Sequence, residues 1–192
     1  MPFTLRRRPS GRRSKSRASS PAAGDAALTL RPPTPADEKT CLAAHAEFDG
    51  FPFLLLWNRQ LSWGRYLELL GGLRTGHRIP EGLVHSDFLL AEVGGDIVGR
   101  VSIRYELNQA LAEKGGHVGY GVRPAFRRRG FATEVLRQSV ARIHAAGVER
   151  ILVVCDDDNV GSATVIERCG GVLESVVTPD DGSAPFRRYW ID

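Results

Sequence analysis

The spacing of apolar residues changes several times along this chain, and each change marks an element. Ala27-Leu28-Thr29-Leu30-Arg31 has the alternation of a short strand, and Pro32-Pro33 ends it. A helix is expected from Ala36 to Phe48, opened by Thr34 or Pro35, with Asp37 and Glu38 in its first turn. The apolar patch from Phe51 to Trp57 is broken by Pro52. A second helix is expected over Leu61 to Leu73, with Trp63, Tyr66, Leu67 and Leu70 on one face and Gly71-Gly72 weakening its end. Residues 74–84 read as a loop. Phe88 to Val93 and Ile97 to Tyr105 flank Gly94-Gly95-Asp96 as a hairpin.

Asn108 to Glu113 reads as a helical turn, and Gly115-Gly116 leads into a strand from His117 to Val122 that Arg123-Pro124 stops. From Ala132 the apolar residues Val135, Leu136, Val140 and Ile143 fall at helical spacing, up to a cap at Gly147. Ile151 to Cys155 is a continuous apolar run, as expected of a strand buried on both faces in parallel pairing. A helix follows from Val160 to Cys169, with Asn159 as its cap and Gly170-Gly171 as its stop. Val172 to Thr178 and Phe186 to Ile191 are the last strands, joined through the turn Pro179 to Gly182. This order predicts one α/β (α+β) sheet of mixed direction with flanking helices. No internal repeat is visible.

Charge divides the chain. Residues 1–27 hold seven Arg and Lys against Asp25, so +6, while the whole chain carries +4. Residues 28–192 therefore sum to about −2, and the basic character belongs to the tail. The tail is Arg, Ser, Pro, Ala and Gly with little to bury, which predicts a disordered segment before a folded domain over 28–192. No apolar core segment of a secretory signal follows its arginines. Nucleic acid is a partner only through this tail, and no aromatic residue interleaves the basic ones to stack on bases. No run approaches a membrane span. Cys41, Cys155 and Cys169 are scattered and odd in number, without metal-ligand spacing. A reduced, cytoplasmic protein without a metal is expected, its cysteines serving as small apolar residues.

The chemistry concentrates between His117 and Thr133. Strand, basic loop and helix follow one another, with Arg127, Arg128, Arg129 and Gly130 at the helix start. The first N–H groups of a helix have no partner within it and lie at its positive end. A glycine there lets a phosphate approach the backbone, and arginines add donors. The nucleotide-triphosphate loop Gly-x-x-x-x-Gly-Lys-Ser/Thr is absent. So is the dinucleotide fingerprint, because Arg123-Pro124 stands where a helix should open after Gly119-Tyr120-Gly121. Arg127-x-x-Gly130-x-Ala132 resembles the Gln/Arg-x-x-Gly-x-Gly/Ala motif with which the GNAT superfamily of N-acetyltransferases binds the pyrophosphate of coenzyme A. The strings His-Val-Gly-Tyr, Asp-Asp-Asn-x-x-Ser and Arg-Tyr-Trp-Ile strengthen the resemblance, which covers residues 28–192.

The resemblance implies a twisted, largely antiparallel sheet in which two central parallel strands, His117–Val122 and Ile151–Cys155, splay to admit acetyl-CoA. It implies that Arg127, Arg128, Arg129, Gly130, Phe131, Ala132 and Thr133 wrap the pyrophosphate. The backbone N–H of Val122 would face the thioester oxygen, and Asn159, with help from Ser162, would contact the pantetheine arm. Asn159 as a helix cap alone is the competing reading. His117 stands where many family members place a glutamate base; a structural strand histidine is the alternative, and Glu92 and Glu106 are weaker candidates. Asp156 to Asp158 read as a solvated strand end or an attraction for a cationic amine. The family's acid is often a tyrosine seven residues after the asparagine. Here that position is Ile166, which leaves Ser162, a water or another tyrosine for the role.

The expected function is acetyl-CoA-dependent transfer to a primary amine by direct attack, on a small-molecule or peptide acceptor, with a homodimer left open. The alternative is a non-catalytic acyl-CoA-binding domain.

Overall fold

The computed structural model describes residues 27–48 and 51–192. The expectation for the basic tail therefore lies outside the described residues, apart from Ala27. In chain order the elements are β1 (Thr29–Arg31), α1 (Glu38–Ala46), α2 (Trp63–Thr75), β2 (Ser86–Val93), β3 (Asp96–Arg104), α3 (Gln109–Glu113), β4 (Val118–Val122), α4 (Phe131–Ala145), β5 (Ile151–Asp156), α5 (Val160–Arg168), β6 (Val172–Val177) and β7 (Phe186–Ile191). The strands form one seven-stranded sheet in the order β1-β2-β3-β4-β5-β7-β6. Every neighbouring pair is antiparallel except β4 and β5.

The expected elements all form, with shifted ends. The first expected helix is split, since Pro35–Asp37 makes a 3-10 turn before α1. Proline fits the first turn because its missing N–H is not needed there. Asp37 accepts from the Thr34 N–H (2.7 Å) and hydroxyl (2.8 Å), and Arg31 binds both its oxygens at 2.8 Å. Helix α2 runs past Gly71-Gly72 to a left-handed Gly76.

Two apolar layers cover the sheet. On one face α4 and α5 pack Val135, Leu136, Ile143, Ala163 and Ile166 against Val101, Ile103, Val118, Ile151, Val153 and Tyr189. On the other, α1 and α2 pack Cys41, Ala44, Trp63, Tyr66 and Leu70 against Phe88 and Leu90. The connection from α1 to α2 joins this second layer through Phe53 and Leu54, both fully buried. It is held by Tyr66, whose hydroxyl donates to Leu55 O at 2.9 Å, and by the edge-on stacking of Trp57 on Tyr66. Sequence periodicity thus reports both layers, and the loop's apolar run reports the lid over the second.

Candidate active site

The centre of the sheet comes apart where its one parallel pair lies. Arg104 N donates to His117 O (2.8 Å) and Arg123 N to Val98 O (2.9 Å), the two ends of one antiparallel register between β3 and β4. Bonding alternates along such a pair, so Gly119 and Gly121 also turn their peptide groups toward β3. Val118, Tyr120 and Val122 then turn theirs toward β5. Only Val118 finds a register partner there, Val153. Beyond it the strands diverge, and the peptide groups of Tyr120 and Val122 face a gap.

The closed end of the gap is built by Gly116 and His117. A Cβ on Gly116, whose φ is +66°, would stand 2.4 Å from Leu152 O, so β4 enters close against β5. His117 N donates to Leu152 O at 2.7 Å, and Leu152 N donates back to His117 Nδ1 at 2.9 Å. A ring nitrogen that accepts from an N–H carries no proton, so the neutral imidazole holds its hydrogen on Nε2. Burial lowers the His117 pKa, and the charge of Arg104 adds to this. The Nδ1 lone pair is thus occupied by the Leu152 N–H, and the bond ties β4 to β5.

The open end leads to the start of α4. Arg128 (φ +61°) and Gly130 (φ +82°) are both left-handed, and Gly130 is the helix cap. Glu134 N is the first to close a helical bond, on Gly130 O at 3.1 Å. The N–H groups from Arg128 to Thr133 have no backbone acceptor among the described residues. Left-handed residues set in such a run curve successive N–H groups into an anion-binding hollow. A Cβ on Gly130 would meet nothing within 4 Å, so the hollow is open. Arg127 folds back, its Nε donating to Val122 O at 3.0 Å, and Arg129 lies over the Phe126 ring.

Across the gap, Asn159 caps α5 by accepting from Ser162 N at 3.0 Å. Ile166, at the position where the family's tyrosine is often found, is fully buried in the core between α5 and the sheet, and it faces no solvent. The tyrosine that reaches this region is Tyr120. From β4 its hydroxyl donates to Ser162 O at 3.5 Å, and burial raises its pKa to about 12. Sequence reasoning passed over it; the available signal was a lone bulky, polar-tipped residue between two strand glycines. Glu92 pairs with Arg31, Glu106 accepts from His85 N at 3.3 Å, and Asp157 pairs with Arg187. Burial raises the Cys41 pKa to about 12 and the Cys155 pKa to about 11, and raises that of Cys169, so all three thiols stay protonated near neutral pH. Among the described residues no cluster of His, Cys, Asp and Glu could hold a metal ion, and no helix is long and apolar enough to cross a membrane.

The same arrangement of sheet and helices recurs in solved structures. The microcin C7 self-immunity acetyltransferase MccE, in complex with acetyl-CoA and AMP, is 18% identical with a TM-score of 0.63, over 88% of this chain and 93% of that one. RimJ of Mycobacterium smegmatis, in complex with CoA-disulfide, is 18% identical with a TM-score of 0.60, over 85% and 81%. A GNAT-family acetyltransferase of Streptococcus pneumoniae is 15% identical with a TM-score of 0.60, over 86% and 98%. Residues 27–172 match the family described as the acetyltransferase (GNAT) domain. With the splayed central pair and the N–H hollow at its end, that match makes this chain a member of the GNAT acetyltransferase family.

Proposed function

We propose that the protein is an acetyl-CoA-dependent N-acetyltransferase that moves the acetyl group directly to a primary amine. The observation that carries the reading is the continuity of the gap between β4 and β5 with the hollow at the start of α4. A donor with a pyrophosphate at one end and a thioester at the other fits such a path. Coenzyme A supplies the activated acyl group. The N–H groups of residues 128–133 receive the pyrophosphate, with Arg128 and Arg129 adding charge from outside. The exposed Asn159 spends its Oδ1 on the cap and keeps its amide N–H groups for a carbonyl of the pantetheine arm. The Val122 N–H, turned into the gap, stabilises charge developing on the thioester oxygen.

Tyr120 takes the acid's role that Ile166 cannot. A pKa near 12 keeps its proton in place at neutral pH, available to the departing sulfur. The position of Tyr120 favours catalysis over the non-catalytic alternative. His117 serves as a positioning group, tying β4 to β5 where they begin to part. No side-chain base is required for a peptide α-amine, whose free pKa of roughly 8 leaves a useful neutral fraction. The buried thiols favour direct attack over an acetyl-cysteine.

The test incubates the protein with acetyl-CoA and a panel of primary amines, following thiol release by colorimetry and products by mass spectrometry. N-acetylated products are expected. Acetyl-CoA binding without any acetylated amine would leave the non-catalytic reading, and no binding would remove both.

A further inference from the structure

Strand β3 carries Arg100 and Arg104 on the sheet face opposite α4 and α5. Gly121 stands across from Arg100, and Gly119 across from Ser102 between the two arginines. The glycines lie beneath Phe48 and Phe51, a Cβ on Gly121 standing 2.9 Å from the Phe48 ring and one on Gly119 3.5 Å from the Phe51 ring, with the arginines next in reach. A Cβ on Gly121 would lie 3.8 Å from Arg100 Nε, and one on Gly119 would lie 3.7 Å from both terminal nitrogens of Arg104. Arg100 is fully buried, yet its guanidinium meets only carbonyl groups: Nη1 donates to Gly119 O (2.8 Å) and Nη2 to Pro52 O (2.7 Å). The Phe51 ring lies over it, 4.4 Å from centroid to guanidinium carbon, and its Nε–H has no partner among the described residues. Arg104 is half-buried and donates to Gly116 O at 3.0 Å. No described carboxylate forms an ion pair with either.

A buried cation without a counter-ion is costly to hold. Burial, and then the charge of Arg104, lower the Arg100 pKa to about 9, which still leaves it charged near neutral pH. The nearest aromatic cover, Phe51, is half exposed. The place is consistent with an incoming group. The anion hollow and α4 occupy the other face of the sheet, so an acceptor reaching the Val122 N–H comes from the face of Gly119 and Gly121, which Phe51 and Phe48 cover, and the half-exposed Phe51 is the side chain that gives way.

We infer that Arg100, Ser102 and Arg104, over Gly119 and Gly121, form the acceptor's anion site, and that the acceptor is an amine bearing a carboxylate, an amino acid or short peptide. This rests on the amine-acetylation reading above. It also favours the neutral amine: positive charge beside an ammonium group lowers its pKa, and the proton passes to water before the attack. A polyamine would be repelled.

The test compares L-amino acids and dipeptides with their C-terminal amides and with diamines as acceptors, on the full chain. Acetyl-CoA affinity is measured separately, so that loss of the donor site is distinguished from a wrong acceptor. The carboxylate forms are expected to exceed the amides at least tenfold in kcat/KM. Arg104→Gln is expected to raise the acceptor KM about tenfold or more, the scale of a lost charged hydrogen bond, with acetyl-CoA affinity unchanged. Arg100→Lys, which keeps the charge and loses the fork, is the second variant, each checked by thermal melting. Amides or diamines used as well as the acids, or acetyl-CoA binding with no acid acetylated, would overturn the proposal. So would discrimination that appears only in Asp49→Asn, because Asp49, outside the described residues, would then be the carboxylate the arginines hold.

Discussion

Gly130→Glu separates the hollow at the start of α4 from the rest of the molecule. A Cβ there enters open space, so the substitution creates no clash. The backbone at φ +82° costs any L-residue about 1 kcal/mol, and Gly130→Ala measures that cost alone. The added carboxylate projects into the space in front of the N–H groups of Phe131, Ala132 and Thr133, where a phosphate would sit. Two unit charges 4 Å apart repel by about 1 kcal/mol in bulk water and about 4 kcal/mol at an effective dielectric of 20. The site is exposed, which favours the lower figure for each of the two pyrophosphate charges. About 2 kcal/mol results, or roughly a 30-fold rise in Kd. Calorimetric titration of acetyl-CoA into parent, Gly130→Ala and Gly130→Glu proteins reads it, with added salt expected to narrow the difference. A folded Gly130→Glu protein that binds acetyl-CoA within about threefold of Gly130→Ala would refute the placement of the pyrophosphate.

Tyr120→Phe is expected to lower kcat about tenfold or more with little change in acetyl-CoA KM, read from steady-state rates; an unchanged kcat would remove the acid assignment. His117→Ala leaves the buried Leu152 N–H without its acceptor and is expected to cost about 1–3 kcal/mol in denaturant unfolding, while the pH profile of turnover keeps its shape. Asp37, bonded by Arg31 and Thr34, has its pKa lowered from 3.8 to about 2. Its folded-state pKa lies below the unfolded one, so its contribution, about 2 kcal/mol, is present above pH 4 and lost as pH falls toward 2. Asp37→Asn is expected to remove that acid-labile component, seen in melting curves across this range.

The elements were legible because their signals are local. A period of two marks β3, a period near 3.6 marks α4, and Gly130 with its arginines marks a helix start that has no side-chain cap. The splay of β4 from β5 was legible only through resemblance, since pairing between strands distant in sequence leaves no periodic trace. Arg100 shows the limit most clearly. Alternation in β3 distinguishes its two faces but does not reveal that the polar one is roofed by Phe51 and Pro52. His117 kept two readings in sequence because its burial and the bond from Leu152 arise from the close approach at Gly116, a tertiary event. Tyr120 became a candidate only once α5 had brought Ser162 beside it.

The short seam at Val118 and Val153 has a consequence for how the fold opens. Strands β1 to β4 and strands β5, β7 and β6 are each continuous ladders, and between them the backbone ladder is brief. Amide hydrogen exchange should therefore resolve two cooperative units, joined mainly by the packing of α4 and α5. A molecule lodged in the gap binds only when both units are in place, so it should slow exchange across each of them together, including at amides it never touches.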